Sequence, residues 1–196
     1  VVVELGGKDA AIILDAPNGK PMAKSELQRI ESIIMRGVFQ SAGQNCIGIE
    51  RVVAMPLAYS YLLSVLPPRI RSLRVGNALT STEVDVGAQV SSANFDKLES
   101  LIAEAVAQGA SLLAGGKRYT HPQYPQGHYF TPTLLANVTT DMRIAQEECF
   151  APICLLMRAS SPTHAISITN STIYGLGCSI FGPSSSPLSH VAEKVK

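Results

Sequence analysis

Cys46 lies in the stretch FQSAGQNCIGIE, residues 39–50, between a Gly43-Gln44-Asn45 turn and an immediate return to apolar residues. A thiol is nucleophilic as its thiolate, and backbone N–H groups or side-chain amides beside it can stabilise the oxyanion formed when it attacks a carbonyl. Taken alone, a single cysteine at such a place reads more readily as a small buried hydrophobe. Glu4 opens the sequence Glu4-Leu5-Gly6-Gly7-Lys8 at the end of a valine run. A carboxylate where a strand breaks into a Gly-Gly turn can project from the end of a sheet, because the glycines permit the sharp change of backbone direction. A solvated Glu beside a turn Lys fits the same residues. The third group is Glu147-Glu148-Cys149-Phe150-Ala151-Pro152. Its acids and its ring could be a charge cluster at a helix end, or a carboxylate for sugar hydroxyls and an aromatic for a flat heterocycle, and spacing alone leaves both open.

Something must hold these groups in place, and the pattern between them supplies it. Short aliphatic or β-branched runs at 10–14, 49–55, 153–157 and 178–181 read as buried strands, bounded by Gly, Pro or charge. Longer stretches carry helical spacing. Residues 25–39 align Leu27, Ile30, Ile34 and Val38 on one stripe, with Ser25 as the expected N-cap and Gln28 three positions on. Residues 93–108 repeat the pattern and stop at Gly109, and a strand follows at 111–113. Two more helices are expected over 162–170 and from Pro187 onward. Strands alternating with helices predict an α/β fold, a mostly parallel sheet flanked by helices. The Gly-, Pro-, Tyr- and His-rich stretch 115–138 reads instead as a surface excursion or an antiparallel hairpin.

Composition limits the function. A chain of 196 residues, 46% hydrophobic, suits one substantial core. With 16% charged residues, a net charge of +1 and no basic cluster interleaved with aromatics, it carries no nucleic-acid footprint. The apolar runs are short and interrupted, which predicts no spanning helix and no membrane contact from these residues. No signal peptide is legible. Cys46, Cys149, Cys154 and Cys178 form no CxxC pair and have no histidine at ligand spacing, so no metal site is expected. Reduced thiols in the cytoplasm or another reducing compartment are the expectation, with Cys154 and Cys178 as small buried hydrophobes. The chain opens on Val1 without an initiator Met and stops within what reads as a helix. It is expected to be a piece of a longer protein.

Together and in this order, VELGGKDA, FQSAGQNCIGIE and EECFAP resemble the glutamate, cysteine and EE-x-F-G-P cofactor motifs of the aldehyde dehydrogenase superfamily. RVGN at 74–77, GAQV at 87–90, GHYFTPT at 127–133 and Asn170-Ser171 with Tyr174-Gly175-Leu176 look like landmarks of the same family in the same order. The wording SAGQNCIGIERV is most similar to fungal members linked to meiotic sister-chromatid recombination. The resemblance implies that Cys46 is the nucleophile, capturing an aldehyde as a thiohemiacetal that becomes a thioester once hydride has passed to NAD or NADP. It implies that Glu4 is the general base for hydrolysis, partly buried so that its pKa suits the task. The Cys46 N–H would donate to the oxyanion, Glu148 would bind the nicotinamide ribose and Phe150 would lie beside the nicotinamide.

The departures are specific. The interval from Glu4 to Cys46 is longer than is usual in the family, with the extra residues expected in the turn-like segment 17–21. Ala151 replaces a Gly, Ala88 a Pro, and Cys149 an aliphatic residue, for which packing is the expected role. The family's cofactor-binding domain and oligomerisation strand have no counterpart here, so residues 1–196 are expected to be one catalytic domain truncated at both ends, inactive by itself, from a homo-oligomeric parent. Two rivals stand beside this reading, a non-catalytic interaction module that kept the fold and a cofactor-free cysteine hydrolase. The hydrolase needs a histidine partner, and His121, His128, His164 and His190 lie in no convincing motif.

Overall fold

The structure is a computed structural model that describes residues 1–16, 19–80 and 83–196. Residues 17 and 18, within the turn expected at 17–21, lie outside the described residues.

The elements follow the order β1 (Asp9–Ile13), α1 (Lys24–Phe39), β2 (Ile49–Ala54), α2 (Pro56–Arg71), α3 (Phe95–Ala107), β3 (Ser111–Ala114), β4 (Arg118–Tyr119), β5 (Tyr129–Phe130), β6 (Thr133–Ala136), α4 (Arg143–Gln146), β7 (Ile153–Arg158), α5 (Pro162–Thr169), β8 (Cys178–Phe181) and α6 (Ser185–Ala192). A six-stranded sheet runs β3-β6-β7-β2-β1-β8, and β4 pairs with β5 in a separate two-stranded hairpin. Within the large sheet every neighbouring pair is parallel except β3 with β6. This is the mostly parallel α/β arrangement that the alternation of strands and helices predicts.

Both faces of the sheet are covered, which is why the central strands are apolar at successive positions rather than alternate ones. Ala11, Ile13, Val52, Ala54, Cys154 and Leu156 pack under α1 and α2. Ala10, Ile12, Val53, Leu155 and Met157 pack against residues of α3, α5 and α6 on the other side.

Four expectations about the fold need correction, and one helix was not foreseen. Residues 1–8 form no strand, so Glu4 sits in an irregular lead to β1 rather than at a strand end; β1 begins only where its backbone meets β2 and β8. Ser25 is inside α1, whose N-cap is Ala23 with no side-chain cap. The stretch 115–138 does contain an antiparallel hairpin, but its last part is β6, buried at every position between β3 and β7. Helix α2 was legible in no helical signature, since Pro67 and Pro68 stand inside it and apolar residues crowd all its faces. At the end of the chain α6 starts at Ser185, two residues ahead of the Pro187 expected to open it, and stops at Ala192, ahead of the last four residues.

Candidate active site

Three strands adjacent in the sheet, β1, β2 and β7, are each preceded by one of the three candidate segments. Parallel pairing brings the starts of neighbouring strands together, so Glu4, Cys46 and Glu148 meet at the amino ends of the strands. Glu4, Leu5, Gly6, Gln44, Asn45, Cys46, Glu148 and Phe150 line one open cleft of about 600 Å³. All four residues singled out by sequence thus reach a common space, and no histidine is among the described residues that line it.

Cys46 is delivered by an unusual piece of backbone. Ser41, Ala42 and Gly43 follow α1 with φ of 55°, 54° and 72°, three successive left-handed residues that reverse the chain. Only glycine adopts that conformation without strain. Gly43 also lies so close to the backbone of Ala151 that a β-carbon there would collide with it. The loop is stapled from outside. Gln44 Nε2 donates to Ser41 O at 3.0 Å, Val90 N donates to Gln44 Oε1 at 2.8 Å, and the buried Gln89 Nε2 donates to Ala42 O at 2.8 Å. Cys46 itself is half-buried, and its N–H has no hydrogen-bond partner among the described residues.

Glu148 is half-buried and held by Gly7 N, which donates to its Oε1 at 2.9 Å. A β-carbon on Gly6, at φ 73°, would lie 2.6 Å from Glu148 Oε2, and one on Gly7 would strike the Cys46 carbonyl. The two glycines are therefore there for close approach: they let the Glu4 segment lie against both the cysteine loop and the Glu148 segment. Phe150 is 42% exposed with φ 49°. Glu4 is exposed, contrary to the expected partial burial, and its Oε1 accepts Gly6 N at 3.1 Å. Val1, Val2, Val3 and Leu5 are exposed with it.

Beneath the cleft is a polar cluster that sequence reasoning missed. Lys8, which read as a turn lysine, is 1% exposed and forms a buried ion pair with Glu50. Burial opposes its charge, but the neighbouring Cys149 and Glu50 outweigh that and raise its pKa. Arg51 is buried with Nε donating to Lys8 O at 2.8 Å and its terminal nitrogens to Ile168 O and Thr169 O at 3.0 Å each. Consecutive charged residues opening an apolar strand were the available signal. Cys149 and Cys154 are fully buried, and burial pushes each thiol up to about 12. Cys178, expected inside, is exposed on the edge strand β8.

The mostly parallel sheet with helices on both faces is shared with solved aldehyde dehydrogenases. Betaine aldehyde dehydrogenase of Staphylococcus aureus, solved in complex with NAD+, superposes with a TM-score of 0.86 at 29% identity, over 98% of this chain and 37% of that one. The aldehyde dehydrogenase family model matches residues 1–196, and the chain belongs to that family. An aldehyde dehydrogenase-like protein of Schizosaccharomyces pombe is 54% identical over 180 residues, 92% of this chain and 33% of that protein. One from Saccharomyces cerevisiae is 50% identical over 199 residues, 100% of this chain and 30% of that protein. The chain therefore spans about a third of the length of these relatives. Among the described residues no helix is long and apolar enough to cross a membrane.

Proposed function

We propose that this chain is the catalytic segment of a longer NAD(P)-dependent aldehyde dehydrogenase, oxidising an aldehyde to the carboxylic acid. The observation that carries this reading is the convergence of Glu4, Cys46, Glu148 and Phe150 on one cleft at the amino ends of β1, β2 and β7. In this reading Cys46 Sγ adds to the aldehyde carbon, and the Cys46 N–H, which has no competing acceptor among the described residues, donates to the oxygen that becomes negative. When bound, the oxidised nicotinamide supplies the hydride acceptor. Glu4 then takes a proton from the water that cleaves the remaining thioester, releasing the acid and the thiol. Its exposure here leaves it in contact with solvent, the source of that water.

The residues present fit one end of such a cofactor. With Glu148 Oε1 taken by Gly7 N–H, Oε2 remains an acceptor for ribose hydroxyls, and the Phe150 ring at the rim offers a flat apolar surface. NAD and NADP share that end, so this cleft suits both.

The test is production of reduced nicotinamide from an aldehyde series by the full-length protein, with and without Cys46→Ala. Loss of roughly a thousandfold or more of the activity is expected. A full-length protein that oxidises no aldehyde with either cofactor would remove the proposal.

A further inference from the structure

Glu50 closes the cysteine stretch in sequence, yet neither binding nor chemistry at the cleft uses it directly. Its placement is irregular. β1 pairs Asp9 with Ile49 and then Ala10 with Arg51, skipping Glu50, while β2 joins β7 only from Arg51 onward. Glu50 is thus the extra residue of a bulge, a device that re-aims a side chain beside a functional site. Glu50 as a whole is 6% exposed.

Every oxygen of that carboxylate is committed. Oε1 accepts Phe150 N at 2.9 Å and Cys149 N at 3.0 Å; Oε2 accepts Cys149 N at 3.0 Å and pairs with Lys8 Nζ. Phe150 has φ 49°, a left-handed conformation that a residue with a β-carbon keeps only where its surroundings enforce it. Asn94 Nδ2 holds the same turn from the other side, donating to Cys149 O at 3.2 Å. A buried ion pair serving only the core could be replaced by apolar residues, whereas this one also gathers two backbone donors.

We propose that Glu50 is a positioning residue, whose buried carboxylate fixes the left-handed Cys149-Phe150 turn so that Phe150 and Glu148 face the cleft beside Cys46. It rests on the dehydrogenase reading for what the cleft binds. Glu50 acts through Phe150 and touches no substrate. Through Lys8 it also anchors the Gly6-Gly7 turn, whose Gly7 N–H holds Glu148.

The test separates charge from acceptor in the full-length protein. The double variant E50L/K8M removes both buried charges and the acceptor; E50Q/K8M removes the charges but keeps a carbonyl oxygen for the two N–H groups. E50L/K8M is expected to raise KM for the nicotinamide cofactor about tenfold, with kcat changed by less than about threefold. Amide hydrogen exchange at Cys149 and Phe150 is expected to speed up by about the same tenfold factor. E50Q/K8M should return both readouts toward the starting values, which a purely structural role would not predict. Unchanged KM and unchanged exchange in E50L/K8M would overturn the proposal. If E50L/K8M does not fold, E50D decides, since it keeps a charge for Lys8 but draws the acceptor back from the backbone, and unchanged values there count against Glu50 equally. Should the unmutated protein oxidise no aldehyde, the dehydrogenase reading falls on its own, and the exchange rates still decide whether Glu50 holds the turn.

Discussion

Of the four thiols, burial disfavours ionisation at three, Cys178 being pushed up to about 11. Cys149 and Cys154, each pushed up to about 12, stay protonated through neutral pH, while half-buried Cys46 lines an open cleft. Alkylation of folded protein in a Cys178→Ser background should therefore modify Cys46 first, with Cys149 and Cys154 reacting only after unfolding; peptide mass mapping over time would reveal any other order. Glu4→Gln in the full-length protein tests the second step separately. Capture and hydride loss should survive, giving one equivalent of reduced cofactor per site, while turnover falls roughly a hundredfold or more because the thioester waits for unassisted water. A variant with normal turnover would exclude Glu4 as the base. Asp9 makes a prediction about pH. Burial raises its carboxyl to about 6, against the Gly177 N–H that favours the charged form. A group whose folded pKa exceeds its unfolded value stabilises the fold while protonated, and that contribution is lost as pH rises from about 4 through about 6. Asp9→Asn keeps an oxygen for Gly177 N–H and removes the charge. It should flatten the pH dependence of urea unfolding over that window and leave the protein about 1 kcal/mol more stable than the parent at pH 7.5, after discounting for the solvent that reaches the carboxylate.

The loops that enter β1, β2 and β7 carry the site, and their backbone is as specific as their side chains. Gly43→Ala would place a β-carbon against the Ala151 backbone and strain a φ of 72°. A loss of more than about 2 kcal/mol in denaturant unfolding is expected, with Cys46 labelling altered in the fraction that still folds. An alanine tolerated within a few tenths of a kcal/mol would mean the left-handed run is not needed. How far this architecture could be read in advance follows from which forces are local. β1, β2 and β7 were legible because two-sided burial makes a parallel strand largely apolar, and α1 and α3 because one buried stripe imposes a helical period. β6 was obscured by the Gly- and Pro-rich residues leading to it, although its own four positions are fully buried. α2 was obscured by two prolines and by apolar residues on every side. The four candidate site residues were named from motif order, and their meeting in one cleft follows from strand adjacency, which the sequence does not print. The Lys8–Glu50–Arg51 cluster is the opposite case. Each of its links joins residues about 40 to 120 positions apart, and only the folded sheet brings such residues into one place.

At the scale of the whole molecule, the open question is how much of the proposed chemistry this chain performs without the rest of a longer protein. Its relatives are about three times its length, and the cleft it presents is open, lined in part by exposed Leu5 and Phe150. Exposed apolar groups gathered at a polar cleft are a surface that gains from being covered. Toward a dinucleotide the chain offers one carboxylate oxygen and one half-exposed ring, a small fraction of what would be needed to offset the freedom a bound ligand loses. Cofactor affinity of the isolated 196 residues is therefore expected to be weaker than about 1 mM, and titration calorimetry with NAD+ and NADP+ should show no saturable heat. Aldehyde oxidation should be absent for the same reason, since an aldehyde held on Cys46 would have no fixed acceptor for its hydride. The thiol itself should still react with small electrophiles, because the loop that aims it is stapled entirely by residues of this chain. The expected signature is thus alkylation of Cys46 without dehydrogenation. Saturable cofactor binding or turnover by the isolated chain would show instead that these three strand-entry loops make a sufficient active site.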